Sequence, residues 1–158
     1  PMRYPMVYSQ GVNDFWGRRW NRTVHRFLKR LIFNPTLNAT GVRWLATLGA
    51  FIASAAFHEV LVNHAMRFSP PELREGVRQR LYYQVLFFVT QAMLCYGERL
   101  IDRFIPPLGR LARALPYPMQ VLVTALVISP FGPLFTAPLE AAGLVVSISR
   151  LFPSVVVA

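Results

Sequence analysis

His58 and Glu59 stand side by side in a largely apolar stretch over residues 44–66, long enough to cross a bilayer. Ionisable groups at that depth are expensive because water cannot solvate them, and they mark functional sites. An imidazole there has three uses. It can take a proton from a hydroxyl, ligate a haem iron or the magnesium of a chlorophyll, or tie helices together through Glu59 or a backbone carbonyl. Glu59 is expected to pair with an arginine or histidine of this protein or a neighbour. His64, six residues further on, reads as a solvated helix end. Elsewhere the chain shows no Ser-His-Asp order, no glycine-rich phosphate loop and no cluster of metal ligands. Cys95 is the one cysteine, which excludes an internal disulfide, and it reads as a small buried hydrophobe.

The elements that must position these groups follow from hydropathy. Of the 158 residues 54% are hydrophobic and 15% charged, with mean hydropathy +0.36. Residues 81–97 hold no charge over 17 positions and residues 114–139 none over 26. With the stretch around His58 this predicts an all-α, multi-pass membrane protein with about three transmembrane helices, over 41–67, 81–99 and 117–150. A soluble domain of this size could bury one such helix but hardly three. The third is broken at 130–133 by Pro130-Phe131-Gly132-Pro133, which predicts a kink or an unwound turn. Gly49, Ala50, Ala53, Ser54, Ala55 and Ala56 allow close helix approach in the first span. Gln84, Gln91 and Glu98 recur at intervals of seven on the second, a polar stripe expected to face protein or a ligand rather than lipid.

Before the spans, residues 11–34 predict a basic amphipathic helix in the membrane interface, one domain with the rest of 1–158. Asn13 or Asp14 can cap it, and Asn34-Pro35 is expected to end it. Trp16, Trp20, Val24, Phe27 and Leu31 form its apolar stripe, and Arg18, Arg19, Arg22, Arg26, Lys29 and Arg30 cover most of the remainder. Net charge is +10. Hydrophobic spans interrupt the basic segments, so membrane lipid headgroups rather than nucleic acid are the expected anionic partner. If the spans alternate, twelve basic residues fall on the side of the N-terminal helix and four, Arg67, Arg74, Arg78 and Arg80, on the other; the first side is then the cytosolic or matrix-type face. Pro1 to Gln10 has no apolar core of a cleavable signal. A chain opening on Pro1 is expected to be a trimmed precursor or part of a larger protein.

Two motifs carry a resemblance. Phe15 to Asn21 reads FWGRRWN and Ala53 to Glu59 reads ASAAFHE, followed by FFVTQAMLCYGE over Phe87 to Glu98 and Pro-Leu-Phe over 133–135. The set resembles the wax synthase domain of the membrane-bound O-acyltransferase superfamily, C-terminal part only, over about residues 10–140. The resemblance implies acyl transfer from acyl-CoA to a lipid alcohol in the endoplasmic reticulum membrane, with no cofactor. It implies His58 and Asn21 as catalytic residues, and Trp16, Arg18, Arg19 and Trp20 as substrate-binding ones. Superfamily members are much longer and enclose a chamber that three spans alone are not expected to enclose. Two readings follow. One is part of an acyltransferase. The other is a shortened, non-catalytic relative serving, with other transmembrane subunits, as a structural subunit of a large respiratory or photosynthetic complex in an organellar inner or thylakoid membrane. There His58 could ligate haem or chlorophyll, or the protein could bind lipid.

Overall fold

The N-terminal segment breaks at Trp20 and Asn21, and that break shapes the molecule. The computed structural model describes residues 8–67, 71–78 and 80–141, which are almost wholly helical and contain no strand. Helix α1 (Val12–Asp14) runs into a π-helical turn over Phe15–Arg19. Trp20 then turns extended (φ −65°, ψ 159°), and Asn21 caps α2 (Arg22–Leu28) by accepting from the Val24 N–H at 3.3 Å. A second π-helical turn, Lys29–Phe33, leads into α3 (Asn34–Thr40). The single helix expected over 11–34 is therefore two stretches, parted at Trp20 and Asn21. Asn34-Pro35 opens a helix instead of ending one, because a proline in the first turn lacks an N–H that would be unsatisfied anyway. Gly41, at φ 67°, supplies the left-handed stop.

Asn13 and Asp14 do not cap a helix by side chain; they are used elsewhere. Asp14 pairs with Arg19 at 3.1 Å. Asn13 docks the segment onto the second long helix: its backbone N–H donates to Glu98 at 2.7 Å, and its side-chain amide donates to Glu98 at 2.6 Å and to the Cys95 carbonyl at 2.9 Å.

The rest is α4 (Arg43–Ala65), α5 (Pro71–Arg78), α6 (Leu81–Phe104), α7 (Pro106–Ala114), α8 (Tyr117–Ile128) and α9 (Gly132–Ala141). Pro130 to Gly132 do not unwind the chain. Ser129–Phe131 tighten to a 3₁₀ turn with helical dihedrals on both sides, so α8 and α9 follow one path. The part of the third span expected beyond residue 141 lies outside the described residues. Helices α4 and α6 pack along each other, and α9 closes on α6 and α5.

Two helical paths, Arg43–His64 and Tyr117–Glu140, are long and apolar enough to cross a membrane. Helix α6 is as long as these but carries its polar stripe inward. Gln84 and Gln91 are fully buried, with Gln84 donating to the Phe135 carbonyl at 3.4 Å and Gln91 accepting from the Trp16 indole at 3.1 Å. The outer faces are apolar instead: Ile52, Val60, Leu122 and Leu126 are all exposed. Amides inside and aliphatics outside are the reverse of a water-soluble bundle and suit a protein whose solvent is lipid.

Glu98→Ala is expected to destabilise the protein by about 2 kcal/mol, because two Asn13 donors lose a charged acceptor. Thermal unfolding followed by tryptophan emission measures this. An unchanged midpoint would mean the N-terminal segment is held by other contacts.

Candidate active site

Folding the N-terminal segment inward creates a half-open cavity of about 650 Å³ between it, α4, α6 and the α8–α9 junction. The small residues of α4 set one wall: Ala50 and Ser54 line it, with Phe51 between them. His58 follows Ser54 by one turn and faces the same space. Its ring lies 5.2 Å from that of Phe88 and 5.1 Å from that of Phe135, held between aromatics of α6 and α9. Neither His58 nor Glu59 has a hydrogen bond or ion pair among the described residues, so the expected tie between them is not seen there. Glu59 is half-buried and does not line the cavity, and His64 is exposed near the end of α4.

The structure brings four of the predicted site residues to this one cavity: His58, Asn21, Trp16 and Trp20. Trp16 is the central wall residue, in ring contact with Phe51, Phe87 and Trp20 and fixed by Gln91. Asn21 spends its Oδ1 on the α2 cap, which leaves the Nδ2 hydrogens without a partner among the described residues. Arg18 and Arg19 lie elsewhere. Both point to an outer groove of about 440 Å³, and both are drawn towards Asp14. The resemblance through FWGRRWN implies substrate binding for both; the π-helical turn directs them to the outer groove, which shares Gly17, His25 and Lys29 with the cavity.

Sequence reasoning missed the cationic end. Arg43 from the start of α4, Arg99 from α6 and Lys29 from the second π-helical turn all line the cavity, with His25 beside Lys29. Arg99 donates to the Thr47 hydroxyl at 3.3 Å. The signal was present in the charge count, which puts Lys29, Arg43 and Arg99 on the same membrane side. Ser54 is a small packing residue by type, yet its spacing of four from His58 places both on one helix face. From Arg43 to His58 is 15 residues of α4, about 22 Å at 1.5 Å per residue. The cavity thus runs from a cationic end to an aromatic one that holds the imidazole.

Burial, and then the nearby Lys29 charge, hold His25 below its ordinary value near 6.5. The folded protein binds this proton more weakly than the unfolded chain, so its contribution to stability is present above about pH 6.5 and is lost as pH falls through the lowered value. His25→Asn is expected to flatten that part of the stability profile between pH 7 and pH 5, measured by thermal midpoints. An unchanged slope would assign it to other groups.

An α-helical membrane protein with a histidine-lined internal cavity is thus the class defined by fold and site. The model of the family described as "Membrane bound O-acyl transferase family" matches residues 1–90, more than half the chain, and the chain belongs to that family. It is 42% identical over 59 residues to diacylglycerol O-acyltransferase 1 of Chlorocebus aethiops, covering 37% of this chain and 12% of that protein. It is 28% identical over 141 residues to "Probable long-chain-alcohol O-fatty-acyltransferase 9" of Arabidopsis thaliana, covering 80% of this chain and 37% of the relative. An Arabidopsis protein named acyl-CoA--sterol O-acyltransferase 1 is 34% identical over 68 residues, covering 39% of this chain and 20% of that protein. The chain spans well under half the length of these relatives. No solved structure matches it.

Proposed function

We propose that the protein transfers an acyl group from acyl-CoA to a lipid alcohol, and that a long-chain alcohol is the acceptor. One observation carries this reading: His58 and Asn21 line the same cavity, whose far end is cationic. The distance between those ends is comparable to the reach of an extended pantetheine arm. Lys29, Arg43 and Arg99 suit the phosphates of the donor, and the aromatic wall suits the acyl chain and the alcohol.

His58 acts as the base. Its imidazole takes the hydroxyl proton as the alcohol oxygen attacks the thioester carbon. The Asn21 Nδ2 group donates to the carbonyl oxygen as it gains negative charge. The C–O bond forms, the C–S bond breaks, and the leaving thiolate takes the proton back from the imidazolium. The products are an ester and free CoA. Trp16 and Trp20 shape the wall against which the chain lies. The acceptor class is suggested by the plant relative that aligns with most of the chain, and the endoplasmic reticulum membrane is the location we assign.

The test is transfer of a labelled acyl group from acyl-CoA to long-chain alcohols, diacylglycerol and a sterol by the purified protein in lipid. Ester formation with the long-chain alcohols above the other acceptors is the expected result. Ester with another acceptor only would correct the acceptor class. No ester with any of the three would contradict the reading and favour a structural role in a larger complex.

A further inference from the structure

The outer groove has a different character from the cavity. Arg18, Arg19, Arg22, His25, Arg26 and Lys29 line it, and His25 and Lys29 belong to both spaces. Among the described residues, Asp14 pairs with Arg18 and Arg19. Arg22, Arg26 and Lys29 have no acidic partner among the described residues. They are spaced four and three apart, which puts them on one face of α2 and the turn that follows. On another face of the same segment Phe27 and Leu31 are 58% and 52% exposed, also four apart, and Trp20 is exposed at the start.

We propose that this groove binds the headgroup of an anionic phospholipid, beside the cavity. A soluble polyphosphate would use the cations and leave Phe27 and Leu31 facing water. A lipid uses both: its phosphate meets Arg22, Arg26 and Lys29 while the bilayer that carries it takes up Phe27, Leu31 and the Trp20 ring. Cations on one face and exposed apolar side chains on another, in α2 and the turn that follows it, match that double chemistry. Because Lys29 and His25 line both spaces, a bound headgroup stands beside the cavity. The proposal rests on the membrane placement of the chain and not on acyl transfer, so it can fail or hold by itself.

The test is quenching by brominated lipids of the emission of the Trp16–Trp20 pair, with the intact protein carrying Trp44→Phe in nanodiscs. Brominated phosphatidylglycerol is expected to quench at a lower mole fraction than brominated phosphatidylcholine. Arg26→Gln should raise the half-point about fivefold, the effect of one cation near an anionic surface. The triple change Arg22→Gln, Arg26→Gln, Lys29→Gln should abolish the preference. The charge-keeping set Arg22→Lys, Arg26→Lys, Lys29→Arg should preserve it, which separates lost binding from lost fold. Equal quenching by the two lipids, or a preference that survives the triple change, would overturn the proposal. So would loss of the preference on adding inorganic pyrophosphate at constant ionic strength, which would give the groove to a soluble phosphate.

Discussion

His58→Ala is expected to lower ester formation by about 10²–10⁴-fold, the usual worth of a positioned general base. The fold should survive. His58 is half-buried at a cavity wall and holds no hydrogen bond among the described residues, so its removal leaves no orphaned partner there. What is lost is ring contact with Phe88 and Phe135. His58→Phe restores most of that contact but can accept no proton, and it should be as inactive as the alanine variant. Labelled-ester formation at saturating acyl-CoA, with thermal midpoints alongside, measures both. Activity retained in either variant would remove His58 from the chemistry and leave it a packing role.

Asn21 has the second largest expected effect, and its two duties can be separated. Asn21→Ala loses the cap on α2, worth about 1 kcal/mol, and the amide donor together. Asn21→Asp keeps an oxygen for the Val24 N–H but has no N–H to offer a developing oxyanion. The aspartate variant should therefore unfold near the wild-type temperature and yet lose about 10²–10³-fold in kcat, as expected when one such donor is removed. If the aspartate variant is nearly as active as wild type, the role of Asn21 is confined to the turn. If KM rises while kcat is unchanged, Asn21 holds the donor equally in the ground and transition states and adds nothing to the chemical step.

The long helices were legible because their signal is local. A run of uncharged residues over 114–139, or a histidine among small residues over 44–66, needs no tertiary knowledge to be read as apolar helix. The inward stripe of Gln84, Gln91 and Glu98 was legible for the same reason, since a spacing of seven keeps one face. The N-terminal segment was harder. Its apolar and basic residues recur at helical intervals, and the periodicity is blind to the extended Trp20 and to the two π-helical turns. Those features depend on partners far along the chain: Glu98 and Cys95 draw in Asn13, and Gln91 fixes Trp16. The same docking is why His58, Asn21, Trp16 and Trp20 meet while Arg18 and Arg19 face outward. It is also what forms the half-open cavity against α4, α6 and the α8–α9 junction. Arg43 and Arg99 escaped notice because 56 residues separate them in the chain, and only the antiparallel packing of α4 and α6 unites them.

The most direct measurement is the position of a non-hydrolysable acyl-CoA thioether on the intact protein, by electron cryomicroscopy in nanodiscs. The expected map has the sulfur between His58 and Asn21, the phosphates at Lys29, Arg43 and Arg99, and the acyl chain along Trp16 and Phe135. A thioether bound away from His58, or a cavity filled by a pigment or a fixed structural lipid, would contradict the central claim.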